Sequence, residues 1–172
     1  MSVKIYLCRG MTGRDKADVF VEAKEQRTFL TKAGFTILCP VAEEGVKFER
    51  GELRSTKKEM DKHWKRDKEM IREAHMVWDM TPHRKSEGCS HELGYARYCL
   101  WKPVVRVYPS EQLPDDGSVA YYEDDAITDS ILEAIEYTLR VHGTFWRRLK
   151  WRAKMLSKSL FKWIWYQIRE IK

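Results

Sequence analysis

The residues best suited to chemistry lie in segment 86–96, which reads Ser-Glu-Gly-Cys-Ser-His-Glu-Leu-Gly-Tyr-Ala. Its second carboxylate, Glu92, follows a small-residue loop and an apolar strand, about where a short helix is expected to begin. Open α/β sheets bind ligands at such places, because unpaired helix N–H groups point into the crevice at the strands' carboxyl ends. A carboxylate there can act as nucleophile or general base. The alternative is that Glu92 only caps its own helix, since acidic residues favour the first turn.

The elements that would position Glu92 alternate between strands and helices. Apolar runs predict strands at residues 3–8, 35–39, 75–80 and 103–108, with a fifth candidate at 119–122. Helical patterns are expected at residues 18–32, from a Ser55 cap to about Glu73, at 90–100 and at 128–141. This alternation predicts an α/β fold: a flavodoxin- or Rossmann-like, doubly wound parallel sheet of four to five strands.

The charge divides the chain into two parts. Residues 143–172 contain nine Lys/Arg and one Glu, whereas the other 142 residues contain 23 Lys/Arg and 25 Asp/Glu. We therefore expect an α/β domain over residues 1–142 and a basic, Trp-rich amphipathic helical tail over 143–172. The tail is too charged to span a membrane but suits a membrane surface or a protein partner. Its apolar stripe could equally pack on its own domain or across a dimer. Nucleic-acid binding ranks lower, because the body has no basic surplus.

The four cysteines indicate a reducing compartment and no metal. They show neither a CxxC motif nor a Cys/His ligand spacing, so we expect no metal and no organic cofactor. The first residues lead directly into an apolar strand rather than a leader sequence. These features favour a cytoplasmic protein. The alternative is a cytoplasmic protein that its tail attaches to the surface of a membrane.

In a doubly wound sheet the loops after the first, third and fourth strands line one edge. That edge would bring together Tyr6, the loop at 10–13, Asp79, Ser86 and Glu92. The loop contains glycines that allow close approach to a phosphate or a sugar. It has neither the GxGxxG pattern nor a Walker lysine, which argues against NAD or ATP.

Four stretches carry a family resemblance: Ile5-Tyr6-Leu7-Cys8 with the loop ending Gly13-Arg14-Asp15; residues 66–81; Ser86-x-Gly88-x-x-x-Glu92-Leu93-Gly94-Tyr95-Ala96; and Tyr121-Tyr122-Glu123-Asp124. Together they resemble the nucleoside 2-deoxyribosyltransferase superfamily, and most closely its branch of 2'-deoxynucleoside 5'-monophosphate N-glycosidases. The resemblance covers roughly residues 3–140, and two of the stretches also look like phage proteins.

The resemblance implies a role for each matching residue. Glu92 would be the nucleophile that attacks C1' of deoxyribose, Asp67 the acid that orients the sugar and assists the departing base, and Tyr6 the residue that positions the nucleophile. Ser86 stands where transferases of free nucleosides carry an acid, so it favours a 5'-phosphate over a 5'-hydroxyl. The expected substrate-binding residues are Gly10, Met11, Thr12, Gly13, Arg14, Asp79, Ser86 and Gly88. The family also implies a homodimer or higher homo-oligomer.

The resulting hypothesis is cleavage of the N-glycosidic bond of a (deoxy)nucleoside 5'-monophosphate, by hydrolysis or base exchange. The chemistry fits, because breaking this bond builds positive charge on the sugar, which a nearby carboxylate stabilises and can trap covalently. Trp78, Met80 and Met11 are candidate stacking surfaces for the base, or else core residues. The alternative hypothesis is a non-catalytic nucleotide-binding module that the tail tethers to a membrane or a partner.

Overall fold

The computed structural model describes residues 2–11, 14–43, 57–81, 86–107 and 125–142. Within these ranges five parallel strands form one sheet: β1 (Lys4–Cys8), β2 (Thr36–Leu38), β3 (Met76–Asp79), β4 (Val104–Val107) and β5 (Ala126–Thr128). The helices are α1 (Lys16–Lys32), α2 (Pro40–Glu43), α3 (Lys57–Glu73), α4 (Glu87–Gly94), which continues as a π-helical segment (Tyr95–Cys99), and α5 (Ile131–His142). The predicted α/β fold with a parallel sheet is confirmed.

The strand order β2-β1-β3-β4-β5 places a topological switch between β1 and β3. At such a switch the loops that follow two neighbouring strands run to opposite faces and leave a crevice at the carboxyl ends. The register pairs Tyr6 with Val77 and Cys8 with Asp79, so both strands end at the same level. The crevice therefore lies directly beyond Cys8 and Asp79.

The central strands are buried along almost their whole length, as parallel strands covered by helices must be. Four of the five residues of β1 and every residue of β3 and β4 are buried. Trp78 is fully buried in β3 and Met80 is almost so, which makes both of them core residues rather than stacking surfaces for a base.

Local sequence signals explain where α1 begins and ends. The Asp15 carboxylate accepts hydrogen bonds from the backbone N–H groups of Ala17 (2.8 Å) and Asp18 (3.2 Å), which is an N-terminal cap. Just beyond its C-terminus Gly34 adopts φ +93°, a conformation that glycine reaches without steric cost. The chain then enters β2 beside β1.

The described elements differ from the predicted ones at two places. The α4 helix begins at Glu87 rather than near residue 90, so Glu92 lies in its second turn and does not cap its first. A short helix absent from the predicted elements, α2, begins at Pro40, since proline is preorganised for a first helical position. A fifth strand exists at Ala126–Thr128, whereas the predicted strand at 119–122 lies outside the described residues.

The chain divides into two compact units, residues 1–131 and 132–172. The sheet and helices α1 to α4 belong to the first. The described part of the second is residues 132–142, which belong to α5 and in which the Thr138 hydroxyl donates to the Ala134 carbonyl (2.8 Å). No helix in the described ranges is long and apolar enough to cross a membrane. The predicted basic tail, 143–172, lies outside them and stays a prediction.

Candidate active site

Helix α4 holds Glu92 at the switch crevice. Ser86 caps the helix, its Oγ accepting the backbone N–H of Cys89 at 3.4 Å. Cys89, Leu93 and Ala96 recur at helical spacing and are buried in one apolar cluster with Tyr6 and other residues of the sheet. Glu92 is adjacent to that buried face, and this position directs its carboxyl group to the edge of the core rather than into bulk solvent.

The surroundings of Glu92 penalise its negative charge. Burial, followed by the nearby carboxylate of Asp67, raises the pKa of Glu92 to about 8. Cys8 and Tyr6 partly oppose this rise by offering hydrogen-bond donors to the charged form. Glu92 nevertheless keeps part of its surface accessible to solvent. A carboxyl group that is mostly buried in the protein but still accessible to solvent has the environment typical of a catalytic residue.

Tyr6 reaches the same place from β1. Its side chain is fully buried, and burial together with the charges of Glu92 and Asp67 raises its pKa well above the ordinary value. The phenol oxygen lies close enough to Glu92 for the two to influence each other, yet within the described residues it has no well-formed hydrogen bond. Catalytic hydrogen bonds are often long before substrate binds and tighten afterwards.

Asp67 comes to Glu92 from α3. Its Oδ1 accepts two hydrogen bonds from the neighbouring Arg66, from Nε at 3.0 Å and from Nη2 at 2.8 Å. One turn earlier on α3, Trp64 packs edge-to-face on Tyr95, with ring centroids 5.7 Å apart. Tyr95 is one turn beyond Glu92, so this aromatic pair ties the two helices together beside the two carboxylates.

The loops after β1 and β3 are joined by a short hydrogen-bond chain. The Gly10 N–H donates to Thr81 Oγ1 (3.0 Å), and the Thr81 N–H donates to Asp79 Oδ1 (3.0 Å). A Cβ at Gly10 would lie only 2.6 Å from Thr81 Cγ2 and 3.0 Å from Ser86 Cβ. The glycine is therefore required for close packing of the β1 loop against the start of α4. Burial raises the pKa of Asp79, against the bonds from Thr81 and the charge of Arg106.

The remaining predicted binding residues lie in the loop after β1 and at the start of α4. Met11 is half-buried just after Gly10, and Gly88 lies in the first turn of α4, where a Cβ would be 4.0 Å from Ser86 Oγ. The Arg14 guanidinium forms an ion pair with Glu22 of α1 (2.6 Å). Thr12 and Gly13 lie outside the described residues.

Two cysteines at this site, Cys8 and Cys89, are close in space although no sequence motif links them. The sulfur atoms of Cys8 and Cys89 and a carboxylate oxygen of Glu92 lie within 4.8 Å of one another. The two thiols are 81 residues apart in sequence, so no local spacing motif exists for them. Their positions at the end of the first strand and inside the 86–96 segment were the only available signal.

Comparison with known proteins supports the fold. No family model matches the chain, and no curated protein matches it. Among solved structures, it is similar to the 2-deoxyribosyltransferase from the psychrotolerant bacterium Bacillus psychrosaccharolyticus, with 18% identity, a TM-score of 0.56, and coverage of 77% of this chain and 90% of that one. A conserved protein from Enterococcus faecalis V583 matches with 14% identity, a TM-score of 0.51, and coverage of 79% and 96% respectively. At these identities the likeness shows a shared fold.

Proposed function

We propose that this protein cleaves the N-glycosidic bond of a (deoxy)nucleoside 5'-monophosphate, with Glu92 as the nucleophile. The observation that carries the proposal is the meeting of Glu92, Asp67 and Tyr6, from α4, α3 and β1, at the switch crevice. The similarity in fold to a 2-deoxyribosyltransferase supports this class of reaction. We infer the 5'-monophosphate substrate from Ser86 and the covalent sugar intermediate from Glu92.

The reaction would proceed in two balanced steps. The reactive form of the site is the one in which Asp67 holds the proton shared by the two carboxyl groups and Glu92 is ionised. A Glu92 oxygen bonds to C1' as the C1'–N bond breaks, and the bonding electron pair leaves with the base, which takes the proton from Asp67. Water then attacks C1', returns its proton to Asp67 and releases the Glu92 carboxylate and deoxyribose 5-phosphate. In base exchange a second base replaces water in the second step.

The electrostatics of the site suit this transition state. The charged groups that raise the pKa of Glu92 are the carboxylates of Asp67 and Asp79. Negative charge around a partly buried site disfavours a further resting anion and favours the positive charge that develops on the sugar ring. The nearby carboxylates that raise the free energy of ionised Glu92 in the free protein therefore stabilise the positive charge on the sugar in the transition state.

Ser86 supports the choice of a 5'-phosphate. It is buried and stands at the N-terminus of α4, where helix N–H groups and the dipole favour an anion. A hydroxyl can accept the capping N–H and still donate to a phosphate oxygen, which a carboxylate at this position would repel. We also predict that the protein forms a homodimer or a higher homo-oligomer.

The test is release of free base, followed by chromatography, from deoxynucleosides and nucleotides with and without a 5'-phosphate. We expect release from monophosphates that is lost in Glu92→Gln, and a shift of preference toward free nucleosides in Ser86→Asp. Release only from unphosphorylated nucleosides would refute the argument from Ser86. No release from any substrate, with or without an acceptor base, would refute catalysis and favour the nucleotide-binding module.

A further inference from the structure

The Glu92 carboxylate has two soft potential metal ligands beside it. Cys8 Sγ, Cys89 Sγ and a Glu92 oxygen all lie within 4.8 Å of one another. Both thiols are buried and neither is in a disulfide. Zinc and other thiophilic divalent ions bind sulfur together with a carboxylate, whereas Mg²⁺ and Ca²⁺ prefer oxygen alone. The donor set therefore selects for a thiophilic cation.

The spacing of the three atoms suits a tetrahedral ion. Zn–S bonds of about 2.3 Å and Zn–O bonds of about 2.0–2.2 Å put tetrahedral ligands roughly 3.4–3.8 Å apart. A set that spans no more than 4.8 Å closes around an ion when its members move inward by about an ångström or less. Three protein ligands leave the fourth position to water.

A neighbouring hydroxyl orients one of the sulfur atoms. Thr81 Oγ1 accepts the Gly10 N–H at 3.0 Å and donates to Cys89 Sγ at 3.3 Å. The backbone N–H takes one lone pair of the oxygen, and the hydroxyl hydrogen is left to bond to the sulfur. Donors behind a ligating atom fix its orientation and stabilise its charged form, and their loss weakens metal binding. The Cys8 thiol contacts the Cys89 carbonyl at 3.9 Å, which holds the two residues together.

We propose that Cys8, Cys89 and Glu92 bind one thiophilic divalent cation, with zinc as the physiological ligand, and that binding withdraws Glu92 from catalysis. The inhibitory half rests on the proposed function. The binding half stands on the geometry alone. The site is therefore a point at which free zinc would switch the enzyme off.

The binding test uses the full chain, freed of metal by a chelator and kept reduced by a phosphine, titrated with Cd²⁺ alone. We expect saturation at one equivalent, seen as thiolate-to-cadmium absorption in the ultraviolet, and competition by Zn²⁺. Cys89→Ser should weaken binding at least tenfold. The matched control is Cys99→Ser, since Cys99 is exposed and outside the cluster. No saturable signal, or one that Cys89→Ser leaves unchanged, would overturn the proposal.

A second variant distinguishes the loss of a metal ligand from misfolding of the cysteine variant. Glu92→Gln keeps both thiols but replaces the carboxylate by a weaker ligand, so it should lower the cadmium affinity about tenfold and leave the thiolate absorption visible. Native affinity in Glu92→Gln would exclude the carboxylate from the site.

The inhibitory half is tested by base release. Zinc at one equivalent should stop release, a chelator should restore it, and Cys89→Ser should continue to release base in zinc. Release that persists in zinc-saturated native protein would overturn inhibition. Cadmium binding with no base release from any substrate would refute the proposed function and leave the metal site standing.

Discussion

Replacing Glu92 by glutamine should make the protein more stable while it removes the proposed nucleophile. Burial and the Asp67 carboxylate raise the pKa of Glu92 from an ordinary 4.5 to about 8. The folded protein therefore binds this proton more tightly than the unfolded chain does. The contribution of Glu92 to stability is greatest below pH 4.5 and is lost as the pH rises toward 8. Glutamine keeps the shape of the side chain and suffers no such loss.

The size of the effect follows from the width of this pH window. At pH 7 the solution lies about 2.5 pH units above the unfolded pKa, and each unit corresponds to about 1.4 kcal/mol, which gives roughly 3.5 kcal/mol as an upper value. Glu92 keeps some contact with solvent, which screens its charge, so we expect about 1–2 kcal/mol. For a protein of this size that corresponds to a rise in Tm of roughly 2–8 °C.

The assay is urea unfolding of native protein and Glu92→Gln at pH 5, 7 and 8.5 in the presence of a chelator. The gain of the variant should be close to zero at pH 5 and grow with pH. Glu22→Gln is the control of opposite sign: burial raises the pKa of Glu22, but ion pairs with Arg14 and Arg9 outweigh it and lower that pKa. Its loss of stability should be present at pH 7 and shrink as the pH falls below 4.5. A gain for Glu92→Gln that is independent of pH, or a loss at pH 8.5, would show that ionisation of Glu92 does not destabilise the folded protein.

Four further predictions concern the residues around Glu92. Tyr6→Phe removes a buried hydroxyl without a well-formed hydrogen bond among the described residues, so Tm should stay within a few degrees while kcat of base release falls. Asp67→Asn should lower kcat about a hundredfold or more, measured with the same substrates, because it removes the proton donor to the base. Gly10→Ala should cost about 1–3 kcal/mol in urea unfolding, since its Cβ meets Thr81 at 2.6 Å. Gly94→Ala, where a Cβ meets none of the described atoms within 4 Å, should be neutral or stabilising.

The central sheet could be predicted from sequence because its strands are buried on both faces. Short continuous apolar runs such as those in β1 and β3 are typical of buried strands. Helices between successive strands indicate that the strands pair in parallel. The position of Glu92 at the switch crevice followed from that topology alone. The sequence pattern is weaker for a short strand at the edge of the sheet. β5 has three residues, and it is defined by its hydrogen bonds to the neighbouring strand β4 rather than by its own sequence.

The start of α4 could not be predicted from local sequence, since Ser86 and Ser90 are both good helix caps. Tertiary packing distinguishes them, because Gly10 brings the β1 loop onto Ser86 and fixes the cap there. The approach of Cys8 to Cys89 was hidden for a related reason. It depends on how α4 packs against β1, which no spacing along the chain encodes.

The most direct test of the central claim is a search for a sugar covalently bound to Glu92. Native protein and Glu92→Gln would be mixed with a deoxynucleoside 5'-monophosphate, quenched in acid within milliseconds to seconds and analysed by mass spectrometry of intact protein and peptides. We predict an adduct of deoxyribose 5-phosphate on the peptide that contains Glu92, and none in Glu92→Gln. Base release without any adduct, an adduct on another residue, or release that survives in Glu92→Gln would contradict the account.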